Sequence, residues 1–120
     1  MLKFFDIIAL VIYCGLIYWL SNQPSLPLPA LFEYQDKAHH FTAYFIMAVL
    51  AWRNFRHFIK PSFTLTLVSI AFCSLYGISD EWHQSFVEGR TSDSLDWLAD
   101  TFGATVAALL IARFIPQKIS

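Results

Sequence analysis

Long hydrophobic runs, bounded by polar and proline-containing stretches, form the main pattern of this sequence. The four runs cover residues 4–20, 36–52, 62–84 and 94–115. A helix needs about 20 mostly apolar residues to cross the roughly 30 Å hydrocarbon core of a bilayer, and slightly shorter segments cross with local thinning. The sequence therefore predicts an all-α fold, a four-span transmembrane helical bundle.

The stretches between the runs contain residues that end or start helices. Segment 21–35 holds three prolines, which cannot continue the first helix. The basic turn 53–60 precedes Pro61, which suits the first turn of a helix, and Pro116 ends the last run. The chain has 120 residues and no internal repeat, so a single transmembrane domain is expected over residues 1–120.

The first run shares one property with a signal peptide, because Lys3 precedes it. Asp6 interrupts its start, however, and no small-residue cleavage site follows it. We therefore expect this run to be retained as a membrane span.

Composition argues against an ordinary soluble domain. Hydrophobic residues make up 57% of the chain and charged residues 14%, with a mean hydropathy of +0.51. Cys14 and Cys73 lie inside apolar runs, away from any Cys/His ligand spacing. The sequence has no nucleotide- or CoA-binding signature, so no cofactor is predicted. The expected partner is the lipid bilayer and not a nucleic acid, while the oligomeric state is left open.

Charged residues divide by sign between the two ends of the predicted helices. One side carries a single acid, Asp6, with six cations: Lys3, Arg53, Arg56, Lys60, Arg113 and Lys118. The other side carries the remaining eight acids with two cations, Lys37 and Arg90. Because cytoplasmic loops are enriched in Lys and Arg, both termini are predicted to be cytoplasmic in a multi-pass protein of the plasma (inner) membrane.

Polar residues recur at helical spacing near the outer ends of three predicted spans. The stripes are Asp36, His40 and Tyr44 on the second span, Gly77, Asp80, Glu81 and Gln84 on the third, and Asp96, Asp100, Gly103 and Ala107 on the fourth. Ionisable groups inside a membrane are costly and mark functional sites. We expect the stripes to meet in a pocket open to the outside, with the small residues allowing close helix contact.

Some of these acids have a simpler structural explanation. Asp36, Asp93 and Asp96 lie at predicted helix N-termini, where a carboxylate can cap free N–H groups and complement the helix dipole. Asp80 and Glu81 instead lie near the C-terminal end of the third helix, where the dipole disfavours anions. These two carboxylates therefore require a cation, a metal ion or a proton nearby.

Two stretches of the sequence carry a family resemblance. DKAHHFTAY, residues 36–44, resembles the pattern D-K-x-x-H-F-x-x-Y of the VanZ-like family of small membrane proteins. YGISDEWHQSFVEGRTSDSLDWLADTFGA, residues 76–104, is similar to the second pattern of that family, D-E-x-x-Q-x-F…G-R…D…(N/D)-x-x-G. The chain departs from the family at Glu88, where Pro is common, at Asp100, where Asn is frequent, and at Ala107 in place of Gly.

The resemblance implies a four-span protein of the cell envelope with an association with teicoplanin-type resistance. It implies no mechanism. The extra acid Asp100 makes the predicted pocket more negative and puts in doubt any role that needs a neutral amide at that position.

One hypothesis from the residues is a binding protein for an anionic lipid, a lipid-linked cell-wall intermediate or a lipoglycopeptide. Lys37 and Arg90, together with outward helix N-termini, would hold the anionic group, and Asp80 and Glu81 would orient the two cations. The candidate ligand-binding residues are Asp36, Lys37, Tyr44, Gln84, Arg90, Asp96 and Asp100.

The alternative is a membrane-embedded hydrolase or transferase that acts on a lipid-linked substrate, so whether the protein is an enzyme stays open. The candidate catalytic residues are His40, as general base, with Asp80 or Glu81 to orient it. A divalent metal held by His40, His83, Asp80 and Glu81 is a further alternative, and the metal is left unknown. Transport is less favoured, because the polar residues stop about halfway across the bilayer.

Overall fold

A computed structural model describes the protein over residues 2–21, 35–87 and 94–115, where it forms four helices. They are α1 (Leu2–Ser21), α2 (Gln35–Phe55), α3 (Ser62–Gln84) and α4 (Ser94–Phe114). These described ranges contain no strand. The prediction of an all-α chain with four helices is confirmed.

The helix boundaries follow the predicted segments closely. The limits of α3 coincide with the predicted run, whereas α2 continues through Arg53 to Phe55 before the chain turns. Pro61 lies immediately before α3 in an extended conformation, with φ −64° and ψ 127°. Its carbonyl accepts the first helical hydrogen bond from the N–H of Leu65 at 3.0 Å. Pro61 is therefore the residue that caps this helix, one position before the expected first turn.

Three of the helices are long and apolar enough to cross a membrane, namely α1 over Lys3–Ser21, α3 and α4. Helix α2 has sufficient length but carries several charged and imidazole residues, among them Lys37, His40 and Arg53. It occupies the centre of the bundle, where it contacts each of the other three helices. Its neighbours bury the side chain of His40, whereas the side chains of Lys37 and Arg53 are 25% and 52% exposed.

The closest packing in the bundle is between α2 and α4, where small residues remove the space between the backbones. Ala48 on α2 and Ala104 and Ala107 on α4 are fully buried in the core. A Cβ atom added to Gly103 would overlap the backbone carbonyl of Phe41 on α2. The small residues of α4 therefore make the close helix contact that their spacing predicts.

Large apolar side chains cover the outside of the bundle. The most exposed include Phe4, Phe63, Leu75, Trp82 and Phe114. Apolar surface of this extent is unusual for a protein surrounded by water. It fits contact with lipid chains, in agreement with the apolar helices.

Candidate functional site

Four helix ends meet at one end of the bundle and bring a group of polar side chains together. We call this group the polar cluster. It consists of Ser21 from α1, Lys37, His40 and Tyr44 from α2, Asp80, Glu81 and Gln84 from α3, and Asp96 and Asp100 from α4. Its four carboxylates are all buried, and Asp100 is 0% exposed. Burial of so many ionisable groups requires specific partners for each.

His40 and Asp100 form the central pair of the polar cluster. The Nδ1 atom of His40 lies 2.7 Å from Oδ1 of Asp100, a hydrogen-bonding distance. The other ring nitrogen, Nε2, lies 3.7 Å from Oδ2 of Asp96. Both nitrogens of the ring therefore face carboxylates of α4.

This pairing differs from the expected one, in which Asp80 or Glu81 orients the imidazole of His40. Asp100 lies one helical turn before Gly103 on α4, and Gly103 brings α4 against the backbone of α2 at Phe41. Because Phe41 follows His40 directly, this close approach places the Asp100 side chain against the imidazole. The packing between α2 and α4 therefore brings this carboxylate to the imidazole.

Asp80 binds two hydroxyl groups. Ser21, the last residue of α1, donates to Oδ1 of Asp80, and the hydroxyl of Tyr44 donates to Oδ2 at 3.1 Å. The amide Nε2 of Gln84 lies 3.4 Å from the hydroxyl oxygen of Ser21. These contacts connect α1, α2 and α3 through one carboxylate.

Sequence reasoning did not identify Ser21. Its sequence signals are that it follows the first apolar run as a small polar residue at the outer end, and that it begins the stretch SNQP, residues 21–24, which also resembles VanZ-like proteins. The helical spacing of polar residues in the other three spans does not indicate which residue of α1 contacts them.

Lys37 pairs with Asp96 across the α2–α4 contact. Its Nζ atom lies 2.7 Å from Oδ1 of Asp96, and the two side chains are 25% and 4% exposed. Asp96 lies in the first turn of α4, so its charge also faces the positive end of the helix dipole. The geometry therefore supports both explanations of Asp96: a carboxylate that complements the dipole of α4, and a site residue that pairs with Lys37.

A cavity opens beside the polar cluster between α1, α2 and α3. Its empty volume is about 420 Å³, which includes space at the mouth that is open to solvent. Apolar side chains of Ile17, Leu20 and Ala43 form one part of its wall. The polar part consists of Ser21, His39, His40, Tyr44, Asp80 and Gln84. The lining of the cavity thus combines apolar and polar side chains.

Two groups of side chains in the polar cluster have the composition and spacing of metal ligands. His40, Asp80 and Asp100 offer one ligand atom each within 4.8 Å of one another, and His40, Glu81 and Asp96 do the same. His83, which the sequence suggested as a ligand, belongs to neither group. Its ring stacks on that of Tyr18, with centroids 4.5 Å apart.

Two of the predicted ligand-binding residues are not placed by these contacts. Asp36 is the second residue of α2, but its side chain lies outside what the structure describes. Arg90 falls within 88–93, outside the described residues. The remaining predicted site residues lie together in the polar cluster: Lys37, His40, Tyr44, Asp80, Glu81, Gln84, Asp96 and Asp100.

A further buried carboxylate lies at the opposite end of the bundle, apart from the four of the polar cluster. Asp6 on α1 is 4% exposed and contacts Nε2 of His57 at 2.7 Å and Nε of Arg53 at 3.2 Å. Nη2 of Arg56 lies 3.8 Å from the same carboxylate. The sequence places Asp6 among these cations but does not predict that they converge on it.

Comparisons with known proteins agree with the membrane character of the helices. The sequence pattern of the family described as VanZ/LLP1 matches residues 2–115. Uncharacterized protein C11E3.10 of Schizosaccharomyces pombe (strain 972 / ATCC 24843) is 30% identical over 102 residues, which are 84% of this chain. The chain spans 59% of the length of this relative. No solved structure matches the chain.

Proposed function

The chain belongs to the VanZ/LLP1 family, and we propose that it is a four-span protein of the plasma membrane that binds the polar head of an outer-leaflet lipid. Three helices have the length and apolar character of membrane spans. The observation that carries the binding function is the cavity beside the polar cluster, because its lining combines apolar and polar side chains. A lipid has the same division between chain and head.

The proposed topology has α2 as the fourth span and both termini in the cytoplasm, within one domain over residues 1–120. Its support is the separation of charge along the bundle. Asp6 with Arg53, Arg56 and His57 lies at one end, and the polar cluster lies at the other. The end with the surplus of Lys and Arg is assigned to the cytoplasm. The polar cluster and its cavity then face outward.

The proposed ligand is an anionic lipid, a lipid-linked cell-wall intermediate or a lipoglycopeptide. Lys37 is already paired with Asp96 at 2.7 Å, so its charge is partly neutralised. Arg90 is therefore the main cation available to recognition, since guanidinium groups bind phosphate and carboxylate in a bidentate manner. Tyr44 and Gln84 line the cavity and supply hydrogen bonds to the polar head.

Teicoplanin-type resistance is the cellular role that the resemblance to VanZ-like proteins implies for such a pocket. A protein that holds the lipid part of a lipoglycopeptide, or the lipid-linked precursor that the drug recognises, lowers the amount of drug at its target. This role needs no chemical reaction.

Native mass spectrometry of the protein released from mild detergent tests the binding function. The wild-type chain is expected to retain an anionic lipid, and Arg90→Ala is expected to lose it. Lys60→Ala is the matched control, because Lys60 is an exposed cation beyond the basic end of α2 and before α3. Equal lipid retention by wild type and Arg90→Ala, with both folded, would contradict the proposal.

A membrane-embedded hydrolase or transferase is the second candidate, and the His40–Asp100 contact favours it. The carboxylate of Asp100 orients the imidazole through Nδ1, and Nε2, which lies 3.7 Å from Asp96, is the nitrogen that would act as the general base. The same mass spectra separate the two functions. Intact lipid bound to the wild type supports binding, whereas a cleaved or transferred lipid that disappears in His40→Gln supports the enzyme.

A further inference from the structure

His40, Asp80 and Asp100 come from three different helices and place an imidazole nitrogen and two carboxylate oxygens within 4.8 Å of one another. All three residues are buried. Imidazole and carboxylate together suit zinc and manganese. We propose that these residues bind one divalent transition-metal ion beside the cavity, whose lining includes His40 and Asp80.

The spacing of the three groups is close to that of metal ligands. Ligand atoms around tetrahedral zinc lie about 3.3 Å apart, given metal–ligand distances of about 2.0 Å. Nδ1 of His40 and Oδ1 of Asp100 are 2.7 Å apart, and the ligand atoms of the group lie within 4.8 Å. Small side-chain rotations therefore bring all three atoms to one ion, which replaces the hydrogen bond between His40 and Asp100.

Neighbouring residues hold the proposed ligands in position. Ser21 and Tyr44 donate hydrogen bonds to the two oxygens of Asp80, and each oxygen retains a lone pair for a metal ion. Nε2 of His40 faces Asp96, the arrangement in which a carboxylate supports the far side of a metal-bound imidazole. Such supporting contacts are a regular feature of metal sites in proteins.

Gln84 supplies an independent observation that points to a ligand. Its side chain is 1% exposed and lines the same cavity as His40 and Asp80. Among the described residues, its amide oxygen Oε1 has no hydrogen-bond partner. A buried acceptor of this kind is costly unless something satisfies it. A metal-bound water would donate to this oxygen.

Electrostatics favours a cation at the same point. Asp80 and Asp100 offer carboxylate oxygens within 4.8 Å of each other, and both side chains are buried. Repulsion between two carboxylates at this distance is stronger in a buried environment than in water. A divalent ion between them converts this repulsion into attraction.

The metal site goes beyond the proposed lipid binding and does not depend on it. If both exist, the ion also presents positive charge to an anionic head, and this one consequence rests on the proposed function. Metal and lipid are therefore measured separately. If no metal ion binds, the metal proposal fails, and the comparison of lipid retention between wild type and Arg90→Ala still tests the lipid proposal.

The experiment uses the full chain in mild detergent after treatment with a chelator and removal of that chelator. Equilibrium dialysis against Zn²⁺ followed by elemental analysis measures the bound ion per chain. The expected result is one saturable ion in the wild type, with affinity reduced at least about tenfold in His40→Gln and Asp100→Asn. His83→Gln is the matched control, because it removes an imidazole of α3 that belongs to neither ligand group.

A spectroscopic measurement on the wild type keeps the test independent of variant folding. Mn²⁺ bound to the stripped protein is expected to show nitrogen hyperfine coupling from the imidazole in its electron spin echo spectrum. Wild type without a saturable ion, or with Mn²⁺ that lacks nitrogen coupling, would overturn the proposal. Full affinity in both His40→Gln and Asp100→Asn, or an equal loss in His83→Gln, would overturn it as well.

Discussion

Asp6 illustrates how a single buried carboxylate is stabilised in this protein. It is 4% exposed, and it lies 2.7 Å from Nε2 of His57 and 3.2 Å from Nε of Arg53. Asp100 at the other end of the bundle is also buried, but its described partner is the imidazole of His40. Asp6 thus connects α1 to the end of α2, whereas Asp100 forms part of the polar cluster.

Asp6→Asn is expected to destabilise the protein. The substitution keeps the size of the side chain but removes the charge that His57 and Arg53 contact, and hydrogen bonds to charged groups contribute about 1.5–3 kcal/mol. Thermal and chemical unfolding in detergent measures the change. Lys60→Gln, at an exposed position, is the control and is expected to stay within about 0.5 kcal/mol of wild type. An unchanged unfolding midpoint for Asp6→Asn would show that its contacts add no net stability.

Helix α1 is held by hydrogen bonds distributed along its length and by the burial of Leu10 and Ile17 in the core. Within the described residues it packs on α2 and α3 and makes no contact with α4. The hydroxyl of Tyr13 donates to the carbonyl of Ala43 at 2.6 Å, and that of Tyr76 donates to the carbonyl of Cys14. Together with Asp6 at one end and Ser21 at the other, these bonds give α1 a defined rotation. That rotation brings Ser21 to Asp80.

The contact between α2 and α4 depends on Gly103, and Gly103→Ala is expected to weaken it. The added methyl group would overlap the backbone of Phe41, which cannot move as easily as a side chain. Overpacking of this kind costs about 1–3 kcal/mol. Unfolding in detergent measures the loss of stability.

Gly15→Ala is the matched control for that substitution. A Cβ atom at Gly15 meets no atom within 4 Å, so Gly15→Ala is expected to leave stability unchanged or slightly raised. Equal stability of the two variants would contradict the close α2–α4 contact. Because His40 and Asp100 meet across this contact, Gly103→Ala also separates them if α4 moves outward.

At the scale of the whole molecule, polarity is arranged along the bundle axis. The bundle is 50 Å long, the polar cluster lies at one end, and Asp6 with its cations lies at the other. Exposed apolar residues such as Leu75 and Phe102 lie on the surface between the two ends. We therefore propose that the bundle crosses the membrane with the polar cluster on the outer side.

Labelling of single cysteines from outside the cell tests this orientation. The variants are Ser85→Cys, just after α3, and Lys60→Cys, in the basic turn, both at exposed positions. Each is made in a chain in which Cys14 and Cys73 are replaced by Ala. A membrane-impermeant maleimide is expected to label Ser85→Cys in intact cells and Lys60→Cys only after the membrane is opened. The reverse pattern would invert the proposed topology, and labelling of both in intact cells would contradict a third span between them.

The sequence by itself determined the helices and the residues that gather at one end. Apolar run length and flanking prolines gave segments that agree with α1 to α4 within a few residues. Helical spacing also indicated which faces of α2, α3 and α4 are polar, because residues three or four apart lie on one side of a helix. These are local properties of a chain, so they need no knowledge of neighbouring helices.

Only the tertiary structure decided which of these residues contact one another. His40 contacts Asp100, Lys37 pairs with Asp96, and Ser21 of α1 donates a hydrogen bond to Asp80. Periodicity shows the direction of a side chain around its own helix, but the partner depends on the distance, rotation and relative depth of two helices. Packing sets those quantities, here through the contact at Gly103 and the hydrogen bonds of α1.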